Sequence, residues 1–373
     1  MTPAGRVLPL LRLHRSKLAA VRREERPTRP PQTRGPIRTR RSTRLAVIAA
    51  AIAALAGTAC GGGDVSSAAD DGRLRVVSTV APITSIVAAV GGDLVAVEGL
   101  VPEGTDSHTY EPPPRAAAVL ARADVLVVNG LGLEEPTTDL AEANLGDGAL
   151  LVELGDETIG PEEYRYDASF PAEGGRPNPH LWTNPPMADR YAEVVKDTLV
   201  DRDPDNAAAY EANYAAFSAR VDELDAALRV ATATVAPEHR KLLTYHDAYA
   251  YFADEYGWEV VGAIQPSDFA EPSPREVADL IAQVRDTGVP AIFGSEVFPS
   301  PVLEQIGEEA GVRYVDVLRD DDLPGAPGDE EHSWLGLMRF DYVAMVSALG
   351  GDPAALEAVP LTPHVPDEAE YPQ

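Results

Sequence analysis

The sequence predicts an α/β protein with two lobes, each a mostly parallel sheet flanked by helices, joined by one long rigid helix. Short β-rich runs alternate with helical segments over residues 73–203, and the same alternation restarts over residues 237–358. A long amphipathic stretch at residues 204–236 separates the two regions. Such alternation is typical of parallel sheets, because each crossover between parallel strands usually contains a helix.

The first lobe, residues 73–203, is predicted to contain four strands. They are the β-rich runs at residues 74–79, 94–101, 124–129 and 150–154. One helix begins at Pro82 and ends at the Gly91-Gly92 pair, and further helices are predicted at about residues 115–122 and 186–203. Residues 155–178 are acidic and rich in proline and glycine, which predicts a loop.

The linking helix, residues 204–236, is indicated by a regular apolar stripe. Asp203 can cap its start, and Pro204 suits the first turn. The stripe has spacings of four and three residues: Tyr210, Tyr214, Phe217, Val221, Leu224 and Leu228. This spacing places the apolar side chains on one helix face. It predicts either an ordinary core helix or a stiff strut between the lobes.

The second lobe, residues 237–358, repeats the strand-helix pattern. Its predicted strands are residues 241–246, 258–264, 290–297 and 312–318, and its predicted helices are residues 247–257, 273–288, 299–311 and 332–351. Residues 359–373 are polar and rich in proline, which predicts a disordered tail.

The first 72 residues differ in composition from the rest of the chain. Residues 1–59 hold 13 of the 31 basic residues and two acidic ones, and they end in a 15-residue apolar run. That run is short for a membrane span but suits a signal sequence, so residues 1–59 are predicted to be a presequence. The single cysteine, Cys60, follows at once and resembles the lipid-attachment cysteine of a bacterial lipoprotein. Residues 60–72 would then form a flexible tether, although ordinary signal cleavage is the alternative.

The remaining chain is strongly acidic. Residues 60–373 carry 18 basic and 58 acidic residues, and the whole chain has a formal charge of −29. A body with this charge repels nucleic acid and anionic lipid, so we expect no nucleic-acid partner. Because there is one cysteine, no intramolecular disulfide can form.

Three of the seven histidines are candidates for a site. His108 follows the strand at residues 94–101, His180 lies between prolines in "NPHLWTNPP", and His246 lies where the strand at residues 241–246 becomes a helix. The others fall in the presequence, at a helix end, in a polar turn and in the tail: His14, His239, His332 and His364. On spacing alone, each histidine is more often a satisfied or exposed residue than a ligand.

An acidic residue completes the candidate set. Asp316 has apolar neighbours within the strand at residues 312–318, and a buried carboxylate there is costly unless it is paired or bound to a metal. Ligands of open α/β sheets bind at the carboxyl ends of strands. Two candidates come from each lobe, which predicts a site in the cleft between the lobes.

Several segments resemble the zinc- and manganese-type solute-binding lipoproteins of bacterial ABC importers. "EGTDSHTYEPPPRAAAVLARADVLVVNGLGLE" is similar to the family's first histidine motif, and "TYHDAYAYFADEYGWEVVG" to its third. "NPHLWTNPPMADRYAEVV" is similar to the second, with Asn178 where the family usually has aspartate. "VRYVDVL" resembles the segment with the acidic ligand, and the resemblance covers about residues 73–350.

The resemblance implies that His108, His180, His246 and Asp316 bind a metal ion between the lobes, with Asp320, Asp321 and Asp322 as competitors for the acidic position. Three imidazoles and one carboxylate favour Zn²⁺ over Mn²⁺, the alternative cargo. The implied protein is a monomeric receptor, not an enzyme. It would be lipid-anchored at the outer face of the cytoplasmic membrane and would deliver its ion to an ABC permease and its ATPase. A zinc-dependent hydrolase, an adhesion lipoprotein and a two-lobed receptor for an organic ligand are the alternatives.

Overall fold

The computed structural model describes residues 72–167, 169–264, 272–295 and 301–372. The predicted presequence, the lipid attachment at Cys60 and all but residue 72 of the predicted tether lie outside the described residues. A single compact unit extends from Ala68 to Gln373 and contains both sheets and every described helix. It therefore includes its own hydrophobic core.

The first lobe contains a four-stranded parallel sheet in the order β2-β1-β3-β4. Its strands are β1 (Leu74–Ser78), β2 (Val95–Gly99), β3 (Val125–Val128) and β4 (Leu150–Glu153). Its helices are α1 (Ala81–Gly91), α2 (Ala116–Leu120), α3 (Glu135–Asn144), α4 (Leu154–Thr158) and α5 (Pro185–Arg202). Every residue of β3 is buried, as expected for a central strand covered on both faces.

The second lobe has the same strand arrangement, β6-β5-β7-β8, and all pairs are parallel. Its strands are β5 (Lys241–Thr244), β6 (Glu259–Ala263), β7 (Ala291–Ser295) and β8 (Arg313–Leu318). Its helices are α7 (Ala250–Tyr256), α8 (Pro274–Thr287), α9 (Pro301–Ala310), α10 (Trp334–Ala348) and α11 (Ala354–Glu357). The predicted fold class is therefore confirmed.

A 28-residue helix, α6 (Ala207–Thr234), joins the two lobes. At 1.5 Å per residue it is about 42 Å long. Five of the six predicted stripe residues are buried, and Tyr214 is half-buried. The helix packs against α1 and α5 of the first lobe and against α10 and α11 of the second. The stripe is thus the shared core of both lobes, which fixes their relative position.

Two helices of the first lobe were not predicted. α3 connects the parallel strands β3 and β4, and such a crossover needs a connection long enough for a helix. α4 begins directly after β4, inside the segment predicted as a loop, and buries Leu154 and Gly155. Tertiary packing stabilises this short helix, because its sequence has no capping side chain.

The prediction of a disordered tail was wrong for its described part. Val359 and Leu361 are buried, and Glu370 forms a parallel bridge with Glu98 of β2. The backbone N–H of Glu370 donates to the carbonyl oxygen of Val97 at 2.9 Å. β2 is an edge strand, and the tail satisfies backbone groups that an edge leaves open. Local composition could not reveal this long-range pairing.

Substituting Glu370 tests whether the tail contributes to stability. In Glu370→Pro the donor to Val97 is lost, and we expect the free energy of unfolding to fall by about 1–3 kcal/mol. Glu370→Ala keeps the donor and removes a charge near Glu98, so its stability should be unchanged or slightly higher. Urea denaturation of both variants measures the difference. Equal stability of the two variants would show that the bridge contributes nothing.

Candidate metal centre

Three imidazole rings converge between the two lobes. The Nε2 atom of His108 lies 3.1 Å from Nε2 of His180 and 2.9 Å from Nε2 of His246. His180 and His246 are buried, and His108 is half-buried. The structure therefore brings together the three histidines that the sequence singled out.

The loop after β2 positions His108. The side chain of Asp106 accepts a hydrogen bond from the backbone N–H of His108 at 2.9 Å, which closes a tight turn. Ser107 Oγ donates to Asp321 Oδ2 of the second lobe at 2.6 Å. Burial, and then the charge of His246, hold the pKa of His108 well below its usual range. The loop thus presents a neutral imidazole and is tied to the opposite lobe.

His180 lies in a rigid loop just before α5. Its Nδ1 atom is 2.8 Å from Oδ1 of Asn178, which can only accept, so the ring carries its proton on Nδ1. Nε2 is then free to act as a ligand to the centre of the cluster. Burial, followed by the charges of His246 and His108, lowers the pKa of His180 well below its usual range. Trp182 packs edge-on against the ring at 5.0 Å between centroids.

His246 follows β5 and pairs with a carboxylate. Its Nδ1 atom lies 2.6 Å from Oδ2 of Asp320, whose other oxygen accepts from Ser295 Oγ at 3.1 Å. Burial lowers the pKa of His246, but the charge and hydrogen bond of Asp320 together with the charges of Asp321 and Asp106 outweigh it and raise the pKa to about 9. Asp320 therefore orients the ring and favours its charged form while no cation is bound.

Asp320 has a backbone conformation that few residues adopt. Its φ angle is +33°, in the left-handed region. Asp341 holds this turn by accepting from the backbone N–H groups of Arg319 and Asp320, and Trp182 Nε1 donates to the carbonyl oxygen of Asp320. Surrounding bonds thus maintain a strained residue, a pattern that is common at functional sites.

The structure does not place Asp316 in this cluster, so the expectation that it is the fourth ligand requires correction. Its side chain is exposed on β8, and its Oδ1 accepts from Tyr314 Oη at 2.8 Å. β8 is an edge strand of the second sheet. Apolar sequence neighbours suggested burial, but side chains on both faces of β8 are exposed, Asp316 on one face and Arg313 and Val317 on the other.

The three histidines form a group of possible metal ligands without any aspartate, and among the three competing aspartates Asp321 is the one with a buried oxygen that no described residue binds. Asp320 is engaged by His246 and Ser295, and both oxygens of Asp322 accept from the backbone N–H of Gly104. Asp321 is 4 % exposed, and its Oδ1 has no hydrogen-bond partner among the described residues. Burial raises its pKa to about 7, although His246 opposes this. A bound cation would satisfy this oxygen.

The distances suit a tetrahedral metal ion. With Zn–N bonds of about 2.0–2.1 Å, two nitrogen ligands lie about 3.3–3.4 Å apart. The observed separations of 2.9 and 3.1 Å are within a few tenths of an ångström of this value. Three nitrogen lone pairs this close repel one another unless a proton or a cation lies between them. The donor set therefore fits a metal ion.

A cavity of about 290 Å³ adjoins the cluster at His108, and Phe170 and Arg176 form part of its wall. A neighbouring cavity of about 590 Å³ shares Arg176 and is lined by five acidic residues: Glu134, Glu135, Asp139, Glu153 and Asp156. The neighbouring cavity is therefore electronegative and favours cations.

Sequence reasoning missed the residues that support the ligands. Ser107 and Asp320 were not assigned these roles, and Asn178 was noted only as a departure from the family's motif. The available signal was proximity in sequence, because each lies next to or near a candidate ligand. Which atoms they contact depends on loop geometry that spacing does not determine.

The two sheets, the linking helix and the enclosed histidine cluster define a two-lobed metal-binding protein. No helix in the described part of the chain has both the length and the apolar character required to span a bilayer. A family model described as "zinc-uptake complex component A periplasmic" matches residues 76–348. The chain belongs to this family and is a metal-binding substrate-binding protein of a zinc/manganese-type ABC transporter.

Similar proteins include members named for different metals. The manganese-binding lipoprotein MntA of Halalkalibacterium halodurans is 29% identical over 298 residues, which cover 80% of this chain and 96% of MntA. The high-affinity zinc uptake system protein ZnuA of Bacillus subtilis is 30% identical over 300 residues, covering 78% and 92%. The structure of the periplasmic zinc-binding protein TroA from Treponema pallidum superposes with a TM-score of 0.67 at 26% identity, covering 74% and 99%.

A pair of aspartate substitutions tests the electrostatics of His246. In metal-free Asp320→Asn the charge that raises the pKa of His246 is lost, and burial should bring this pKa below 6.5. In Asp316→Asn, the matched control, the pKa of His246 should stay near 9. NMR titration of the histidine ring signals measures both. An unchanged His246 pKa in Asp320→Asn would contradict the ion pair.

Proposed function

We propose that this chain is an extracytoplasmic receptor that binds Zn²⁺ through His108, His180, His246 and Asp321 and delivers it to an ABC permease. The observation that carries the proposal is the convergence of three imidazole nitrogens, with Nε2 of His108 about 3 Å from those of His180 and His246 and all three within 4.8 Å of one another. The open oxygen of Asp321 supplies the fourth donor. We expect the receptor to act as a monomer.

Zinc is favoured over manganese by the donor atoms. Three imidazole nitrogens and one carboxylate suit a tetrahedral Zn²⁺ ion, whereas Mn²⁺ prefers more oxygen ligands. The similar protein ZnuA of B. subtilis is named for zinc, which supports this choice. MntA of H. halodurans is named for manganese, so Mn²⁺ is the second candidate cargo.

A receptor is also favoured over a zinc hydrolase. A catalytic zinc keeps one coordination position for water. Here three histidines and Asp321 supply four donors, which would fill a tetrahedral shell and leave no position for an attacking water. The site is therefore suited to holding an ion.

We further propose that Cys60 carries a lipid that anchors the receptor to the outer face of the cytoplasmic membrane. Cys60 follows an apolar run directly, and the similar protein MntA is named a lipoprotein. Cys60→Ala should release the protein from the membrane fraction into the soluble extracytoplasmic fraction. Immunoblotting of the two fractions measures this, and retention of the variant in membranes would exclude Cys60 as the anchor.

Single substitutions test the ligand set. In His180→Ala and in Asp321→Ala a donor is removed from the ion, and we expect the Zn²⁺ affinity to fall by more than about 100-fold, beyond the effect of losing a supporting residue. Asp316→Ala and His239→Ala are the controls and should leave the affinity unchanged. Calorimetric titration of residues 61–373 with Zn²⁺ and with Mn²⁺ measures each variant.

Each outcome of this titration is informative. A large loss in Asp316→Ala with none in Asp321→Ala would return the acidic position to Asp316. Tight Mn²⁺ binding with weak Zn²⁺ binding would keep the site and change the cargo. Binding of neither ion would reject the proposed function.

Zinc binding should depend on pH because the ion competes with protons. His246 has a pKa of about 9 while no cation is bound, so below pH 9 zinc must displace one proton. Asp321, with a pKa of about 7, adds a second proton below pH 7. The affinity should therefore fall about tenfold per pH unit between pH 9 and 7, and more steeply below pH 7.

Competition with a chromophoric chelator at pH 6, 7 and 8 measures this dependence. Asp320→Asn lowers the pKa of His246, so its affinity should change less between pH 8 and 7 than that of the wild type. A wild-type affinity that does not vary with pH would show that no proton is displaced.

A further inference from the structure

We propose that Asn178 is a positioning residue that holds His180 in a single tautomer, and that an amide rather than a carboxylate is required at this position. Its effect on metal affinity rests on the proposed function. Its effect on the imidazole ring does not. Asn178 is fully buried, and both ends of its side chain are hydrogen-bonded to the protein.

The oxygen of Asn178 faces two donors on the same residue. Oδ1 accepts from the backbone N–H of His180 at 2.9 Å and from its Nδ1–H at 2.8 Å. The first bond fixes the backbone of the loop, and the second fixes the ring. His180 therefore keeps its proton on Nδ1, and Nε2 presents a lone pair toward His108.

The nitrogen of Asn178 faces two acceptors from different segments. Nδ2 donates to Oδ2 of Asp167 at 2.7 Å and to the backbone carbonyl oxygen of Asp247 at 2.6 Å. The opposite amide orientation would place its N–H groups against the N–H groups of His180, and its oxygen against two oxygens. The surroundings thus allow only one orientation of the amide.

An aspartate at position 178 would not satisfy these surroundings. It could still accept from His180, but its second oxygen would lie against two acceptor oxygens at hydrogen-bond distance. It would then have to bind a proton or separate from Asp167 and Asp247, and either change costs stability. This accounts for an amide at a position where the resembling family usually has aspartate.

Asn178 also connects His180, through Asp167, to Phe170, whose ring packs against two of the three histidines. Oδ1 of Asp167 accepts from the backbone N–H groups of Ser169 and Phe170. The Phe170 ring lies 5.6 Å from the ring of His108 and 5.8 Å from that of His180, measured between centroids. One buried amide therefore joins the His180 loop, the backbone of Phe170 and the residue after His246.

The tautomer can be measured directly in the metal-free protein. Residues 61–373, which include the whole compact unit, are labelled with ¹⁵N-histidine, and long-range N–H correlations identify the protonated ring nitrogen. We compare the wild type with Asn178→Leu and Asn178→Ala, which remove the amide, and with Asn178→Asp. The matched control is Asn184→Asp, a buried asparagine that caps α5 and donates to one acceptor, the carbonyl oxygen of Tyr251.

In the wild type and in Asn184→Asp we expect His180 to be protonated on Nδ1 alone. Asn178→Leu and Asn178→Ala should show a mixture of tautomers and a Zn²⁺ affinity about 10- to 100-fold lower. Asn178→Asp should keep the Nδ1–H tautomer but unfold at a lower urea concentration than Asn184→Asp, because its carboxylate meets two acceptors instead of one.

Three results would overturn the proposal. Protonation of wild-type His180 on Nε2, or an unchanged tautomer in both amide-removing variants, would reject the positioning role. Equal stability of Asn178→Asp and Asn184→Asp would reject the requirement for an amide. A wild type with the Nδ1–H tautomer that fails to bind Zn²⁺ would instead reject the proposed function and leave the positioning role intact.

Discussion

The approach of His108 Nε2 to within 2.9–3.1 Å of Nε2 of His180 and of His246 is the constraint on which the site depends. Imidazole nitrogens that face one another at this distance repel through their lone pairs or their protons, so other residues must hold the rings in place. Asn178 binds the far nitrogen of His180, and Asp320 binds the far nitrogen of His246. These partners fix which nitrogen faces the centre, so the geometry for a cation exists before the cation arrives.

The same hydrogen bonds that support the ligands also join the lobes. Ser107 of the first lobe donates to Asp321 of the second, Trp182 donates to the backbone of Asp320, and Asn178 donates to the backbone of Asp247. The candidate metal centre and the interface between the lobes therefore share one hydrogen-bond network.

Periodic patterns explain why the fold was largely predictable, and chain geometry explains the exceptions. The α6 stripe and the eight strands follow from local alternation. His108 and His246 stood out at strand ends and His180 between prolines, but it was the resemblance of their motifs to a known family that implied a shared metal ion. Asp316 was misassigned because apolar neighbours do not reveal that β8 is an edge strand with exposed side chains on both faces. The tail was missed because its partner, β2, lies more than 250 residues earlier in the chain. Long-range pairing of this kind leaves no local signal.

The returning tail has a topological consequence. Arg73, the residue before β1, forms an ion pair of 3.1 Å with Glu368 of the tail. The tail lies beside β2, so only one strand separates it from β1, the first strand of the fold. It runs parallel to β2 and extends past its carboxyl end, where the carbonyl oxygen of Pro372 accepts from the backbone N–H of Glu103. The last described segment of the chain therefore completes the sheet that the first one starts.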